Sequence, residues 1–334
     1  MEQVRRILAV KLSSLGDLFH ALPAVHNLKV GLQAEVDWVT QPEYGGLVGC
    51  FSDVSRVIEF PRRTWASDWP RFLRDLRARR YDLVVDFQGL LKSAWVARLA
   101  GGTRVIGPSF CREGSRFLYH AVAGPRNKNR HAVEESLDVV RFLGLDVAAA
   151  EFPVRFPLRT FAEPSPRVAL IPVSRRGNKN WPAEYFVETA VRLSRDSGAS
   201  LYLFGGPGDG AACAAIENAV FSQTGRRPVN LAGRTTLVQM GSWFSGMDLA
   251  IANDSGPMHM AAALGVPVVA VFGPTDPVRT GPYGARHSVL TAEGLSCRPC
   301  FRRSCREAIP ECLRRVPPDR VLEAAARALK EKRS

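Results

Sequence analysis

Two tandem α/β domains, each built on a parallel sheet, are what this chain of 334 residues predicts. Three observations carry the prediction. Short β-type runs alternate with helical patterns along most of the chain, the signature of βαβ units. One aperiodic stretch with four prolines, FPVRFPLRTFAEPSP at 152–166, interrupts that alternation, which then starts afresh. The length also exceeds the roughly 250–300 residues beyond which a single core rarely grows.

The elements follow in order. ILAVKL (7–12), VDWVT (36–40), RVIEF (56–60), YDLVVDFQG (81–89) and TRVIGP (103–108) read as strands of the first domain, with helices over 18–32, 70–80 and 90–100. In the second, RVALIPV (167–173), ASLYLFGG (199–206), VNLAG (229–233), DLAIAND (248–254) and PVVAVFG (267–273) are strands, and helices are expected over 182–197, 211–222 and 237–246. The expected domains run over 1–155 and 165–315. A final helix within 316–334 is expected to pack back on the first domain. Open parallel sheets bind ligands beyond the carboxyl ends of their strands. Polar loops at those ends are therefore the candidate sites, and two domains facing across a cleft suit a donor on one side and an acceptor on the other.

Composition narrows the class. Apolar residues make up 46% and charged residues 23%, typical of a globular protein. No apolar run approaches the ~18 residues of a membrane span, and the N-terminus lacks the long apolar core and cleavage site of a signal peptide. A cytoplasmic protein is expected. Lys and Arg outnumber Asp and Glu by 45 to 32, giving +13, which favours anionic partners such as nucleic acid, a phosphate-rich substrate or an anionic membrane surface. Arg62 to Arg80 is locally rich, with seven arginines against two aspartates; the plainer reading is a solvated basic face.

The most informative stretch is NDSGPMHMAAALGVPVVAVFGPTDP, from Asn253 to Pro277. Asp254, Ser255 and Gly256 end an apolar strand and open a helix, with Pro257 suited to its first turn. Capping alone would explain Asp254 or Ser255. The whole set, with His259 one turn in, suits an anion, because a helix start offers free N–H groups and the positive end of its dipole. Ser174, Arg175 and Lys179 in IPVSRRGNKNWP (171–182) place a hydroxyl and cations at a second strand end, a phosphate-contact composition against a plainer solvated loop. Asp209 in FGGPGDG (204–210) and Thr235 in AGRTTL (232–237) mark two more; Thr235 and Thr236 suit either a helix cap or a nucleoside contact. GPGDGA (206–211) fits G-x-G-x-x-A formally, but Arg226 and Arg227 stand where a ribose-binding acid belongs. Neither a P-loop nor a G-x-S-x-G elbow is present. In the first domain, KLSSLGDLFHALP (11–23) sets Asp17 at a loop-to-helix junction. It is either a helix-start carboxylate favoured by the dipole or a general base facing the cleft.

KLSSLGDLFHALPAV, DFQGLLKSA (86–94), IPVSRRGNKNWPAEYF and NDSGPMHMAAALGVPVVAVFGPTDPVRTGPYG together resemble the lipopolysaccharide heptosyltransferases of glycosyltransferase family 9. The resemblance implies a GT-B fold of two Rossmann-like domains, with the nucleotide-sugar on the second. It implies an ADP-heptose donor substrate, inverting transfer to a Kdo or heptose sugar of the lipopolysaccharide inner core, and no required cofactor or catalytic metal. By position, Asp17 matches the catalytic base. Ser174, Arg175 and Lys179 match diphosphate contacts, Thr235 a nucleoside-side contact, and Asp254, Ser255, Gly256 and His259 the main donor motif; Asp209 is a looser match. REGSRFLYHAVAGPRNKNRHAVEES (112–136) looks like the heptosyltransferase I subgroup, whose acceptor is a Kdo sugar, although Glu135 stands where that subgroup commonly has arginine. Arg63, Lys92, Arg116 and Arg130 are candidates for holding the anionic, lipid-linked acceptor. Peripheral contact with the cytoplasmic face of the inner membrane, a monomer and no nucleic-acid partner are expected. The rival readings are a sugar-nucleotide epimerase of the same architecture and a non-catalytic nucleotide-sugar binder.

Cys297, Cys300, Cys305 and Cys312 follow C-x₂-C-x₄-C-x₆-C. Four thiolates at such spacing suit zinc or an iron–sulfur cluster, and free packed thiols are the plainer reading. The cluster is expected to lie away from the proposed chemistry.

Overall fold

A computed structural model describes residues 3–62, 64–127 and 129–333. The chain divides into two compact units, Met1–Arg155 and Phe156–Ser334.

The first unit carries six parallel strands, β1 (Arg6–Val10), β2 (Glu35–Thr40), β3 (Val54–Glu59), β4 (Leu83–Asp86), β5 (Arg104–Pro108) and β6 (Ala121–Ala123), in the spatial order β3-β2-β1-β4-β5-β6. Its helices are α1 (Leu15–Leu32), α2 (Pro42–Val48), α3 (Trp65–Leu76), α4 (Leu91–Leu99) and α5 (Ala132–Phe142). The second unit repeats the plan with β7 (Arg167–Ile171), β8 (Ser200–Leu203), β9 (Val229–Asn230), β10 (Leu249–Asn253), β11 (Val268–Phe272) and β12 (Ser288–Thr291), ordered β12-β11-β10-β7-β8-β9. Around it lie α6 (Ala183–Asp196), α7 (Gly210–Thr224), α8 (Leu237–Phe244), α9 (Gly256–Ala263), the short α10 (Pro277–Thr280) and α11 (Glu311–Arg314), and α12 (Pro318–Arg333).

Numbered within its own unit, each sheet runs 3-2-1-4-5-6, the doubly wound Rossmann order. That order reverses between the first and fourth strands, so the loops after β1 and β4, and those after β7 and β10, flank a crevice at the sheet's carboxyl edge. Strands β4 (LVVD) and β10 (LAIAN) are apolar up to their last residue and buried throughout, as sheets covered on both faces require. In the second unit Val168, Leu170, Ile251 and Val269 meet Trp181 and Phe186 in one core.

Three expectations change. The final helix does not serve the first domain's core: Val321, Ala324 and Ala325 of α12 are fully buried in the second core, where the helix packs on α6, β10, β11 and β12. Its small-residue face fits that close packing. The proline-rich stretch is docked at both ends. Ser52 N–H donates to Pro153 O and Arg155 N–H to Cys50 O, while Phe156 and Phe161 press on Gly241 and Gly246, where a Cβ would sit within 2.3 and 2.1 Å of the rings. Short elements that periodicity does not reveal, α2, β6 and β12 among them, complete the units. Among the described residues no helix is long and apolar enough to cross a membrane.

Candidate functional site

The second unit's switch point is assembled from the loops after β7 and β10. Asn253, the last residue of β10, is fully buried. Its amide donates to Pro172 O (2.7 Å) and accepts from Trp181 N–H (2.9 Å), so one side chain ties down both ends of the 173–180 loop. Inside that loop Ser174 donates to Arg176 O and Asn180 Oδ1, and a 3-10 turn over Gly177–Lys179 delivers Lys179 to Asp254. Lys179 Nζ lies 2.5 Å from Asp254 Oδ2, and Thr275 Oγ1 donates to the same oxygen at 2.6 Å. The Asp254 carboxylate is buried, so it must be paired.

Beside this pair α9 begins. Ser255 occupies its cap position with extended backbone (φ −150°, ψ 164°), yet its side chain makes no cap hydrogen bond. The Ser255 hydroxyl is shielded and unpartnered among the described residues, and so is that of Thr235 after β9. Thr236, not Thr235, caps α8 by accepting from Gln239 N–H. A shielded hydroxyl without a partner is costly unless a ligand satisfies it. Asp209 accepts from Gly206 N–H (2.6 Å) and so closes the loop after β8. Gly233, at φ +70°, lies against Pro207 and fits the loop after β9 to that turn. Gly256 is the first residue of α9, His259 is buried one turn in, and Arg175 is exposed at the loop's rim.

The first unit's switch point holds Asp17. Ser14 starts α1 and donates to Asp17 Oδ2 through both N–H (2.9 Å) and Oγ (2.6 Å). His20 Nδ1 lies 3.8 Å from the other oxygen. The carboxylate side chain is still 43% exposed, so a substrate can reach it. Burial works to raise its pKa, but the charge of Lys11, with nearby His20 and the Ser14 hydrogen bond, outweighs it and holds the group below the usual carboxylate range. Lys11 is buried and donates to Phe87 O (2.8 Å). Burial pulls its pKa down, against the carboxylates of Asp17, Asp86 and Glu135. Asp86, at the end of β4, accepts from Ser93, Tyr119, Gln88 N–H and Gly89 N–H. Gln88 in turn accepts from Ser13 N–H, joining the β1 and β4 loops.

The acceptor candidates part company. Lys92 is exposed on the first turn of α4, with its ammonium over the Phe60 ring, and Arg116 is exposed in the turn Ser115–Leu118. Arg130 offers no free guanidinium: it is paired with Asp138 at 2.5 and 3.0 Å and also donates to Pro125 O. A buried carboxylate eight residues on captured it, which the loop sequence alone does not disclose. Arg63 lies outside the described residues.

The cysteine segment also differs from expectation. It does not lie away from the switch-point loops: Arg298 donates to Gly273 O (2.6 Å) and Thr275 O (3.2 Å) after β11, Phe301 N–H to Pro274 O, and Asn178 after β7 to Arg302 O. All four thiols are free, and among the described residues no group of three or more His, Cys, Asp or Glu is arranged to hold a metal. Burial, then neighbouring thiols against the pull of Arg298, pushes Cys312 up to about 11.

Lys11, Asn253, Thr275 and Arg298 escape a reading by motif. Only Asn253 leaves a signal, a lone amide closing an apolar strand.

Comparison with solved structures places this arrangement. The chain is similar to Escherichia coli heptosyltransferase WaaC with ADP, at 25% identity and TM-score 0.79, covering 98% of this chain and 99% of that one. It also shares its fold with the glycosyl transferase family 9 protein of Veillonella parvula, at 22% identity and TM-score 0.84, covering 99% of each. Two Rossmann-ordered units of this kind, matched over nearly the whole chain by a heptosyltransferase structure, place it in the GT-B class. The profile of glycosyltransferase family 9 (heptosyltransferase) matches residues 69–309. Lipopolysaccharide heptosyltransferase 1 of Pseudomonas aeruginosa is 30% identical, covering 95% of this chain and 96% of its own length. The chain belongs to glycosyltransferase family 9, the heptosyltransferases.

Proposed function

We propose that the chain moves a heptose from ADP-L-glycero-D-manno-heptose, with inversion, to a Kdo sugar of the lipopolysaccharide inner core. The observation that carries this reading is the donor crevice after β7 and β10. There the amides at the start of α9, the Lys179–Asp254 pair and the unpartnered Ser255 hydroxyl converge at one strand edge. Such a set suits a diphosphate. The full-length similarity to relatives named lipopolysaccharide heptosyltransferase 1 supports the heptose and the acceptor class.

In this mechanism Asp17 takes the proton of the acceptor hydroxyl as its oxygen attacks the anomeric carbon. The bond from that carbon to the diphosphate oxygen breaks, and the departing ADP gathers negative charge. Lys179, with Arg175 at the rim, and the α9 amides stabilise that charge with groups already in place. Thr235 serves the nucleoside side. Lys92 and Arg116 hold anionic groups of a lipid-linked acceptor, and the enzyme works as a monomer in peripheral contact with the cytoplasmic face of the inner membrane.

Incubation with ADP-heptose, with and without a Kdo-bearing lipid, tests the reading. Acceptor-dependent ADP release is the expected result. Isomerisation without acceptor belongs to an epimerase, and binding without turnover to a carrier; either outcome overturns the proposal.

The pH profile follows from the charges around Asp17. A general base works only when ionised, so activity falls as pH drops through its pKa. With Lys11 present that limb lies below the ordinary carboxylate range. Lys11→Gln keeps a donor for Phe87 O but removes the charge. With that charge gone the Asp17 pKa rises, and the acid limb of kcat/KM moves to higher pH. Coincident limbs for the two proteins would remove Lys11 from this role.

A further inference from the structure

The outward face of α4 is not a polar one. Leu91, Lys92, Trp95 and Arg98 fall at i, i+1, i+4 and i+7, on one side of the helix, and all four are exposed. Trp95 is 51% and Leu91 40% open to solvent. Against this helix packs the 3-10 turn Ser115–Leu118, whose Phe117 is 91% open. Three large apolar side chains thus stand out on two adjoining elements, where a surface facing only water would carry polar ones.

The surrounding charge is mostly of one sign. Lys92, Arg98, Arg112 and Arg116 are all exposed on these two elements and the loop between them. Arg62 is close enough to act on Lys92 electrostatically, as are the carboxylates of Glu113 and Glu43. Glu113 is partly engaged, accepting from Leu91 N–H at the start of α4 (3.2 Å). Indole and phenyl rings among exposed cations suit the boundary of a bilayer. The rings enter at headgroup depth, and the cations meet anionic phosphates. Helix α4 begins three residues past Gln88, whose side chain accepts from Ser13 N–H in the loop that leads to Asp17. A lipid-anchored acceptor would therefore meet the same strand-end loops that carry the carboxylate.

We propose that Leu91, Trp95 and Phe117, with Lys92, Arg98 and Arg112 around them, form the surface on which this enzyme docks to an anionic lipid bilayer. The inference deepens the reading of a membrane-borne acceptor and rests on it. Docking through rings and cations is reversible: it brings enzyme and acceptor into one plane without anchoring the protein.

The test is co-sedimentation of the full chain with phosphatidylcholine vesicles, with and without phosphatidylglycerol. The wild type partitions onto the anionic vesicles and not the neutral ones, and it is released by salt. Trp95→Ser with Phe117→Ser lowers partition at least about tenfold, and Arg98→Gln alone about fivefold. These side chains are exposed, so the thermal midpoint stays near that of the wild type. On a water-soluble acceptor fragment the Trp95→Ser/Phe117→Ser protein keeps wild-type turnover, and on vesicle-borne acceptor it loses it. Failure of the wild type to bind anionic vesicles, or equal partition of the double variant, overturns the docking surface. Failure of the wild type to transfer to either acceptor overturns the functional reading instead, while the sedimentation result still decides the surface.

Discussion

Asp17→Ala lowers acceptor-dependent turnover by about 10²–10⁴-fold, the usual worth of a general base, while the dissociation constant for ADP stays within about twofold. The two halves of that result have separate causes. Asp17 belongs to the first unit's switch point, and the loops proposed to hold the diphosphate belong to the second unit, so removing the carboxylate is expected to spare ADP binding. The fall appears in kcat because the proton moves only as the acceptor oxygen attacks. The same substitution also removes the acceptor for Ser14 N–H and Oγ at the start of α1, a helix-capping loss of about 0.5–2 kcal/mol in stability. Asp17→Asn separates the effects, because its amide oxygen still accepts from Ser14 N–H but cannot take a proton. Initial rates with calorimetric titration of ADP measure both halves. Turnover of Asp17→Asn equal to that of the wild type rejects the assignment.

Lys179→Met raises the dissociation constant for ADP by roughly 10- to 100-fold, the equivalent of about 1.5–3 kcal/mol for a hydrogen bond to a charged group. Two effects combine. The ammonium that would meet the diphosphate is lost, and Asp254 is left with Thr275 alone, a buried carboxylate facing an incoming anion. Stability falls as well, toward the lower end of the about 3–5 kcal/mol typical of a broken buried pair, because Lys179 itself is partly open. Lys179→Met with Asp254→Asn recovers much of that stability, since no uncompensated charge remains, but does not recover donor affinity. Titration calorimetry and thermal unfolding of the three variants give the coupling directly. Wild-type ADP affinity in Lys179→Met would detach the lysine from the diphosphate.

The sequence reading reached most of the strands and the loops that matter, for a local reason. Runs such as LVVD and LAIAN are apolar over the length of a buried strand, and a strand's end is announced by the first polar residues after it. Asp254 was legible because it directly follows such a run, and Asp17 because it closes the polar loop SSLGD after ILAVKL. It missed β6, of three residues, because so short a strand has no period to detect. It counted Arg130 as free because nothing in RNKNRHAVEES shows that Asp138 will turn inward and meet it. It did not place α12 in the second core because an apolar helix face states that it needs a partner, not which one.

From the residues alone came two parallel-sheet α/β units, the order of most of their elements and the identity of the polar strand ends, all properties of short windows of chain. The three-dimensional structure decided the partnerships. Lys179 meets Asp254 across 75 residues because β7 and β10 become neighbours in the sheet. Asn253 can hold the intervening loop only because that adjacency puts Pro172 O and Trp181 N–H within reach. Lys11 acquires its three carboxylates through strand order and helix packing, and the cysteine segment reaches the loop after β11 through Arg298. Each of these depends on which strands lie side by side, and strand pairing is set by the burial of whole faces rather than by any local motif.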